Sequence, residues 1–366
     1  MNKKTYFITG GGTGGHIYPA IAVAEELLLQ ADTEKIYYVG NPNNLEAEIV
    51  KNKNFEFLPV ISSGMPRKLS FELITWTFKM IFAWLECCKY IHTHSPDIIF
   101  GTGGYVSAPV LFAGMTMNVP FVMHDCDANP GLVTRKLSPF AKSISIAFDI
   151  AKEKLNNQNC IVNGNPIRNK FSTLSKQDAR KDLGLDDKLT VCIMGGSQGA
   201  KTINSATVGI IKELSEKYNL QIIFQTGKRN YAEVIERLEE VYPAFKNDKN
   251  IIIKPYFDDM VTVLKSCDIA VSRAGSLSIS EICASGAAPI FIPYPYAAAD
   301  HQRKNAKYMV ENQAGLYLED VNTNSDSLLK LIIGLVNNKN ELLKIQSKSS
   351  ELAKFDAVKN IIEQLK

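Results

Sequence analysis

The residues best suited to chemistry begin with a glycine-rich loop that ends in a histidine. The stretch ITGGGTGGHIYPA, Ile8 to Ala20, holds five glycines in six positions, followed by His16. Glycines let the backbone approach a phosphate closely, and a loop leading into a helix presents free N–H groups to an anion. An imidazole exchanges protons near neutral pH. The stretch predicts a pyrophosphate lying on the glycines beside a general base, or a histidine that only bonds the loop or a phosphate.

A dinucleotide-binding dehydrogenase is the first alternative, because Gly10-x-Gly12-x-x-Gly15 fits its motif. That motif also needs an acid at the end of the following strand to hold the ribose. The second strand of each half, read in IYYVGNPNN and IIFQTGK, ends without one. No Gly-Lys-Ser/Thr follows a glycine run, so a Walker A loop is excluded as well.

The second half carries its own candidate site in SRAGSLSISEICASG, Ser272 to Gly286, after the strand DIAV. Gly275 permits a tight turn, and Ser276 to Ser278 would lie at the N-terminus of the next helix, where exposed N–H groups suit a pyrophosphate. Glu281, about one turn further, could accept bonds from two ribose hydroxyls. Serines and an acid at a helix start are also ordinary capping residues.

Neighbouring loops favour the binding interpretation over capping. GGSQGA, Gly195 to Ala200, is a second phosphate-sized loop, PYFDDM ends at Met260 after another strand, and DHQRKNA begins at Asp300. All follow strands of one predicted sheet, and ligands bind at the carboxyl edge of such sheets. The polar loops are therefore expected to converge on one ligand.

Short β-branched runs alternate with helix-length segments and provide the scaffold for these loops. One series begins at TYFITG and a second restarts at LTVCIMGGSQG. Two successive βα series predict an α/β protein with two doubly wound parallel sheets. The predicted domains are 1–165, joined by an amphipathic closing helix over 351–366, and 166–350, with the junction near Gly164 and Pro166.

Composition excludes several other classes. The 366 residues are 45% hydrophobic and 22% charged, and the net charge of +3 gives no basis for nucleic-acid binding. Seven scattered cysteines form no C-x-x-C pair, which disfavours a zinc site and favours a reducing cytosol. The start MNKKTYFITGGG is typical of a first strand and not of a signal peptide.

The most apolar segment, Phe71 to Ile91, is interrupted by charges and is not predicted to cross a membrane. A buried helix of the α/β domain is one interpretation. The alternative is a helix lying in a membrane surface, with Arg67 and Lys68 before it. Its aromatic residues are Trp76, Phe78, Phe82 and Trp84.

Seven motifs follow one another along the chain: GGTGGHIYP, GTGGYVSAP, GNPIR, GGSQGA, FDDM, RAGSLSISE and DHQRKNA. In this order the chain resembles the bacterial peptidoglycan N-acetylglucosaminyltransferase (MurG) family, from Phe7 to about Leu318. The resemblance implies a GT-B fold, two Rossmann-like domains facing an interdomain cleft. It implies transfer of GlcNAc from UDP-GlcNAc to the lipid-linked MurNAc-pentapeptide lipid I, giving lipid II at the cytoplasmic face of the inner membrane.

The family's donor site, carried over by motif, falls in the second half. The backbone at Phe257 would read the uracil edge, and Glu281 would bind the ribose hydroxyls. Arg168 and Met260 would lie close to the diphosphate. The other implied donor residues are Ser197, Gln198, Ser276, Leu277 and Ser278 around the diphosphate, and His301, Gln302 and Asn305 near the sugar.

The first half would hold the acceptor. The resemblance places Thr13, Gly14 and Gly15 among the donor-binding residues, facing the acceptor's pyrophosphate as well. It places Gly12, Gly103, Gly104 and Tyr105 at the acceptor. The donor is α-linked and the product β-linked, so one in-line displacement suffices. We expect His16 to take the proton of the MurNAc C4 hydroxyl, with Asp125 as the rival base. The helix start behind Ser276, with Arg168, would offset the leaving charge without a metal or cofactor.

One departure from the family lies in HDCDANPG, where His-Glu-Gln-Asn is usual. Asp125 keeps the acid but is one methylene shorter, and Asp127 replaces an amide of the implied donor site. An ionised carboxylate cannot donate a hydrogen bond, unlike that amide. Asp125-x-Asp127 also imitates the metal-binding D-x-D of a different glycosyltransferase class.

Three other functions stay open: a UDP-GlcNAc 2-epimerase, another GT-B glycolipid synthase, and a nucleotide-sugar binder without catalysis. The expected partners are UDP-GlcNAc, lipid I and an anionic membrane surface, bound peripherally. Cell-wall synthesis and division proteins are further partners that the resemblance suggests.

Overall fold

The computed structural model describes residues 3–51, 53–66, 71–196 and 198–366. The chain forms two compact units, one built from Met1–Ile167 with Asp356–Lys366 and the other from Arg168–Phe355. The bounds predicted from the sequence are 1–165 with 351–366, and 166–350. Each unit is an α/β structure around one sheet, which confirms the predicted fold class.

Every strand pairing in both sheets is parallel. The first sheet has the order β3-β2-β1-β4-β5-β6-β7 and the second β10-β9-β8-β11-β12-β13. The strands are β1 Lys4–Thr9, β2 Thr33–Gly40, β3 Glu56–Pro59, β4 Ile98–Gly101, β5 Phe121–Asp125, β6 Ser143–Ile146, β7 Cys160–Val162, β8 Thr190–Met194, β9 Gln221–Gln225, β10 Ile251–Lys254, β11 Ile269–Ser272, β12 Ala288–Phe291 and β13 Leu316–Tyr317. In each sheet the strand order reverses beside the first strand of the unit, where such folds bind ligands.

Helices connect the strands and cover the sheets. They are α1 Gly14–Leu28, α2 Leu45–Val50, α3 Phe71–His94, α4 Ser107–Thr116, α5 Leu132–Leu137, α6 Lys170–Thr173, α7 Lys176–Asp182, α8 Lys201–Val208, α9 Ile211–Glu216, α10 Tyr231–Val241, α11 Met260–Ser266, α12 Ser276–Ser285, α13 His301–Glu311, α14 Ser325–Asn337, α15 Lys339–Glu351 and α16 Ala357–Leu365. The central strands are buried along their length, as in β5, β8 and β11, because helices pack on both faces of a parallel sheet.

The closing segment differs from the single helix predicted over 351–366. Residue 351 is the last of α15, residues 352–356 are not helical, and a separate helix, α16, begins at Ala357. The apolar face of α15, with Leu342 and Ile345, packs in the core of the second unit. The apolar face of α16, with Ile361, Ile362 and Leu365, packs in the core of the first unit. Because the apolar faces of α15 and α16 pack in different cores, the two segments form separate helices.

Helix α3 is largely exposed, so the interpretation of 71–91 as a buried helix is wrong. Only Ala83, Cys87 and Ile91 of α3 are buried. Its large apolar side chains that face solvent are Phe71, Ile74, Phe78, Ile81, Phe82 and Leu85. Among the described residues, no helix is both long and apolar enough to cross a bilayer. Arg67 and Lys68 lie outside the described residues.

Candidate active site

The glycine loop of the first unit joins β1 to the start of α1. Thr13 precedes the helix, and its side chain makes no capping bond to the first turn. The Tyr38 hydroxyl donates to the Gly10 carbonyl oxygen at 2.6 Å and fixes the beginning of the loop. Gly14 and Gly15 are the first residues of α1, so their N–H groups lack partners inside the helix. The loop therefore has the backbone geometry of an anion site.

Gly12 was expected to contact the acceptor, but its N–H group is bonded within the protein. Its N–H donates to Glu46 Oε2 at 3.2 Å. Glu46 is fully buried beneath the loop and also accepts from the N–H of Asn41 at 3.2 Å. An anion at this loop would therefore meet the N–H groups of Thr13 and of the first turn of α1. Glu46 was missed in the sequence; its only signal is an acid placed shortly after β2.

His16 lies at the meeting point of two glycine loops. Its Nδ1 lies 3.1 Å from Thr13 Oγ1, and Thr102 Oγ1 donates to its carbonyl oxygen at 2.6 Å. A Cβ on Gly103 would lie 3.1 Å from Cδ2 and 3.3 Å from Nε2 of the ring, so the loop after β4 packs directly against the imidazole. Gly104 is equally constrained, because a Cβ there would lie 2.2 Å from the Gly11 carbonyl oxygen.

The histidine at the end of β5 is buried and neutral. His124 Nε2 lies 3.0 Å from Asn165 Oδ1, and Nδ1 lies 3.0 Å from Ser145 Oγ. Burial lowers the His124 pKa to about 4, the nearby His16 adds to the fall, and the bond to Asn165 opposes it. An amide oxygen only accepts, so the His124 proton is on Nε2.

The Asp125 side chain points into the loop that follows β5 and bonds its backbone. Its carboxylate accepts the N–H of Gly131 at 3.0 Å and of Asp127 at 3.2 Å, and only 6% of the residue is exposed. Burial raises the Asp125 pKa, and these bonds oppose the rise. Asp125 of the D-x-D pair bonds the backbone of its own loop, and no cluster of three His, Cys, Asp or Glu residues within the described ranges could hold a metal ion. Asp127 is half-buried.

In the second unit, the loops after β8, β9 and β10 are tied together by buried amides. Gln225 Oε1 accepts the Phe257 N–H at 2.9 Å, and Gln225 Nε2 donates to the Gly196 carbonyl oxygen at 3.3 Å. Asn230 Nδ2 donates to the Gln198 carbonyl oxygen at 3.1 Å. The Phe257 N–H is thus already bonded within the protein. Ser197 lies outside the described residues.

Two charged groups frame the start of α11. Asp259 precedes Met260 and accepts the Thr262 N–H at 3.3 Å, which caps the helix. Lys170 Nζ lies 2.5 Å from Asp259 Oδ2. Partial burial would raise the Asp259 pKa, but Lys170 and Thr262 outweigh it and lower the pKa to about 2.

The start of α12 is not capped by a side chain, so the simple capping interpretation of the serines is wrong. Gly275 occupies the cap position, and neither Ser276 nor Ser278 bonds the first-turn N–H groups. The fully buried Asn305 donates to the Ala274 carbonyl oxygen at 3.3 Å and holds the turn. The first-turn N–H groups of α12 remain available to an anion.

Glu281 and Arg168 form an ion pair beside this helix start, with Arg168 Nη2 3.0 Å from Glu281 Oε1. Gln302 lies at the start of α13, where its Oε1 accepts the Tyr294 N–H at 2.9 Å and its NH₂ group is left to donate. His301 Nδ1 lies 2.7 Å from the Ala298 carbonyl oxygen. Asn305, expected near a sugar, is a buried support of the α12 turn.

Comparison with known proteins relates both units to one enzyme family. Residues 6–146 match the glycosyltransferase family 28 N-terminal domain, and residues 190–365 match the glycosyltransferase family 28 C-terminal domain. The UDP-N-acetylglucosamine--N-acetylmuramyl-(pentapeptide) pyrophosphoryl-undecaprenol N-acetylglucosamine transferase of Desulforamulus reducens is 37% identical, over 97% of this chain and 96% of its own. The transferase of the same name from Halothermothrix orenii is 37% identical over 94% of both chains. The crystal structure of Acinetobacter baumannii MurG has a TM-score of 0.78 at 24% identity, covering 99% of this chain and 98% of its own, and it confirms the fold.

Proposed function

Because this chain belongs to the MurG family of N-acetylglucosaminyltransferases, we propose that it transfers GlcNAc from UDP-GlcNAc to the C4 hydroxyl of MurNAc in lipid I, giving lipid II for peptidoglycan synthesis. The observation that carries the proposal is the uncapped start of α12 beside the Arg168–Glu281 pair. Open N–H groups suit a diphosphate, and a carboxylate nearby suits a ribose diol.

The second unit would bind the donor. Glu281 would accept from the ribose hydroxyls, and Arg168 would then be drawn to the diphosphate. Gln302 would donate its NH₂ group to a sugar hydroxyl, because its oxygen is already bonded to Tyr294. The other donor contacts we propose are the Phe257 carbonyl oxygen for the uracil N3–H, Met260 near the diphosphate, Ser197, Gln198, Ser276, Leu277 and Ser278 around it, and His301 near the sugar.

The first unit would bind the acceptor and supply the base. With its ring proton on Nδ1 and donated to Thr13 Oγ1, His16 presents the Nε2 lone pair. That nitrogen would take the C4 hydroxyl proton as the oxygen attacks the anomeric carbon and UDP leaves. Positioned base catalysis contributes roughly a hundred- to ten-thousandfold. Asp125 is less suited, because its oxygens already accept backbone N–H groups.

The exposed face of α3 would bind the cytoplasmic face of the inner membrane. Phe78 and Phe82 are 59% and 68% exposed, and Lys79 and Lys89 lie on the same helix, so the face combines apolar side chains with cations that suit anionic lipid. Trp76 and Trp84 contribute less than the sequence suggests. Their indole N–H groups donate to the Ser63 carbonyl oxygen at 2.8 Å and to Thr116 Oγ1 at 3.1 Å, so both rings are held against the protein.

The decisive experiment is transfer of radiolabelled GlcNAc from UDP-GlcNAc to a short-chain lipid I analogue, with and without chelator. We expect label in the lipid in both cases. UDP release or a changed sugar without lipid would favour an epimerase, and donor binding without transfer would favour a non-catalytic binder. Loss of label with chelator would overturn the metal-free mechanism.

A further inference from the structure

The side chain of Asn44 is shared between two acceptors in the first unit. Its Nδ2 lies 2.9 Å from the Tyr105 hydroxyl oxygen and 3.3 Å from Glu46 Oε1. Asn44 immediately precedes α2, a position where asparagine commonly caps the first helical turn. Here it makes no capping bond. The amide is therefore used to connect Glu46 with Tyr105.

Glu46 determines which way that amide faces. Its buried carboxylate receives N–H groups from Gly12, Asn41 and Asn44. An ionised carboxylate only accepts hydrogen bonds, so it must meet the amide nitrogen of Asn44 and not the oxygen. A rotated amide would place Oδ1 against the carboxylate and leave two acceptors unpaired in the interior. The Glu46 carboxylate thus fixes the orientation of the Asn44 amide.

The hydrogen bond from Asn44 also orients the hydroxyl group of Tyr105. Because it accepts one Asn44 hydrogen, its own proton points elsewhere, and it donates to no residue in the described part of the chain. The ring packs over the glycine loop, where a Cβ on Gly12 would lie 3.3 Å from it. The proton is therefore available beside the uncapped start of α1.

We propose that Asn44 and Glu46 are positioning residues that make the Tyr105 hydroxyl a hydrogen-bond donor to a diphosphate oxygen of the acceptor. The inference rests on the proposed function. It adds Asn44 and Glu46 as positioning residues and specifies that the Tyr105 hydroxyl donates its hydrogen bond to the ligand. Glu46 holds the Asn44 amide, Asn44 occupies the lone pair of the hydroxyl, and Tyr105 donates to the ligand. Bonds to charged groups are the stronger ones, which gives this contact its effect on acceptor affinity.

A double-mutant cycle on Asn44 and Tyr105 tests the proposal with the full-length protein and a short-chain lipid I analogue. Asn44→Asp has nearly the same shape, but both its oxygens accept, so it would capture the Tyr105 proton. We expect Asn44→Asp and Tyr105→Phe each to raise KM for the lipid by roughly tenfold or more, with KM for UDP-GlcNAc unchanged. In the Tyr105→Phe background, the effect of Asn44→Asp should be clearly smaller, because the proton it captures is gone and only its charge beside Glu46 remains.

The matched control is Asn43→Asp, which adds the same charge at the exposed neighbouring residue and should leave the lipid KM within about twofold. Independent, multiplying effects of the Asn44 and Tyr105 changes would overturn the inference, as would an equal effect of Asn43→Asp. Asn44→Ala serves if Asn44→Asp misfolds, and its effect should also vanish in Tyr105→Phe. If the wild-type protein transfers no GlcNAc, the proposed function itself is wrong. That outcome is distinct from a failure of the positioning inference, which appears only in the variants.

Discussion

Arg168 Nη2 lies 3.0 Å from Glu281 Oε1, and the carboxylate is the more buried partner, with 15% of its side chain exposed against 47% for Arg168. Burial raises the Glu281 pKa, and the charge and hydrogen bond of Arg168 oppose that rise. The pair joins the first residue of the second unit to the second turn of α12. A ligand bound at the start of α12 would meet both charges.

Replacement of Glu281 by Gln should weaken UDP-GlcNAc binding by roughly ten- to hundredfold, because bonds from the ribose to a charged acceptor are lost. The fold should persist, since the half-exposed Arg168 can return to water. Titration calorimetry with UDP-GlcNAc measures the effect. Glu213→Gln, which breaks the exposed Glu213–Lys217 pair of the same unit, is the control and should bind normally. Unchanged affinity in Glu281→Gln would refute the ribose role.

Replacement of His16 by Gln should lower kcat by roughly a hundredfold or more and leave UDP-GlcNAc affinity unchanged. Glutamine can still bond Thr13 but cannot take up a proton. The measurement is initial-rate GlcNAc transfer at saturating substrates, paired with calorimetry for the donor.

The rival assignment is tested with Asp125→Asn. That change puts an amide NH₂ or a weaker acceptor against the N–H groups of Asp127 and Gly131, so we expect lower stability and only a modest loss of kcat. If His16→Gln retained most of its turnover while a folded Asp125→Asn retained none, the base would be Asp125.

The membrane face of α3 gives a third prediction. Phe78→Glu and Phe82→Glu should each reduce cosedimentation with vesicles rich in anionic lipid several-fold, because each puts a charge on an exposed apolar surface without opening a cavity. Both probes are preferable to Trp76, whose indole also supports the protein. Val321→Glu is the control, since Val321 is 89% exposed and lies in the second unit. Equal sedimentation of all variants would remove the membrane role of α3.

The sequence predicted the central architecture because buried parallel strands are continuous apolar runs. The strands β3, β7 and β13 are not evident in the sequence, because they lie at sheet edges and are short and partly exposed, which leaves them a weak hydrophobic pattern. The sequence analysis also began the closing helix at 351, although α16 begins only at Ala357, because periodicity alone places helix ends poorly.

The site was predictable where loops follow strands, since parallel strands bring their carboxyl ends to one edge. Residues whose role depends on a distant partner could not be recognised. Glu46 meets Gly12 across 34 positions, Asn44 meets Tyr105 across 61 and Gln225 meets Phe257 across 32. Asn305 was assigned to a sugar from its motif, but its burial makes it a support of the α12 turn.

The buried His124 gives a prediction for pH dependence. Its pKa is lowered by burial to about 4 in the fold, against about 6.5 when unfolded. Between these values the unfolded chain binds the extra proton, so the stability of the first unit must fall as pH falls from about 6.5 to about 4. At pH 5 the loss is about 2 kcal/mol, from about 1.5 pKa units at about 1.4 kcal/mol each.

Urea unfolding at pH 7.5 and pH 5 measures this loss, and tryptophan fluorescence reports on the first unit alone because both tryptophans, Trp76 and Trp84, lie in it. His124→Gln keeps the polar partners but cannot titrate, so it should lose about 2 kcal/mol less than the wild type between the two pH values. Asp125, whose pKa burial raises, acts in the opposite direction in both proteins and cancels in the difference. His92→Gln, at an exposed position on α3, should behave as the wild type. Identical pH dependence in the wild type and His124→Gln would show that His124 does not stay neutral in the folded protein.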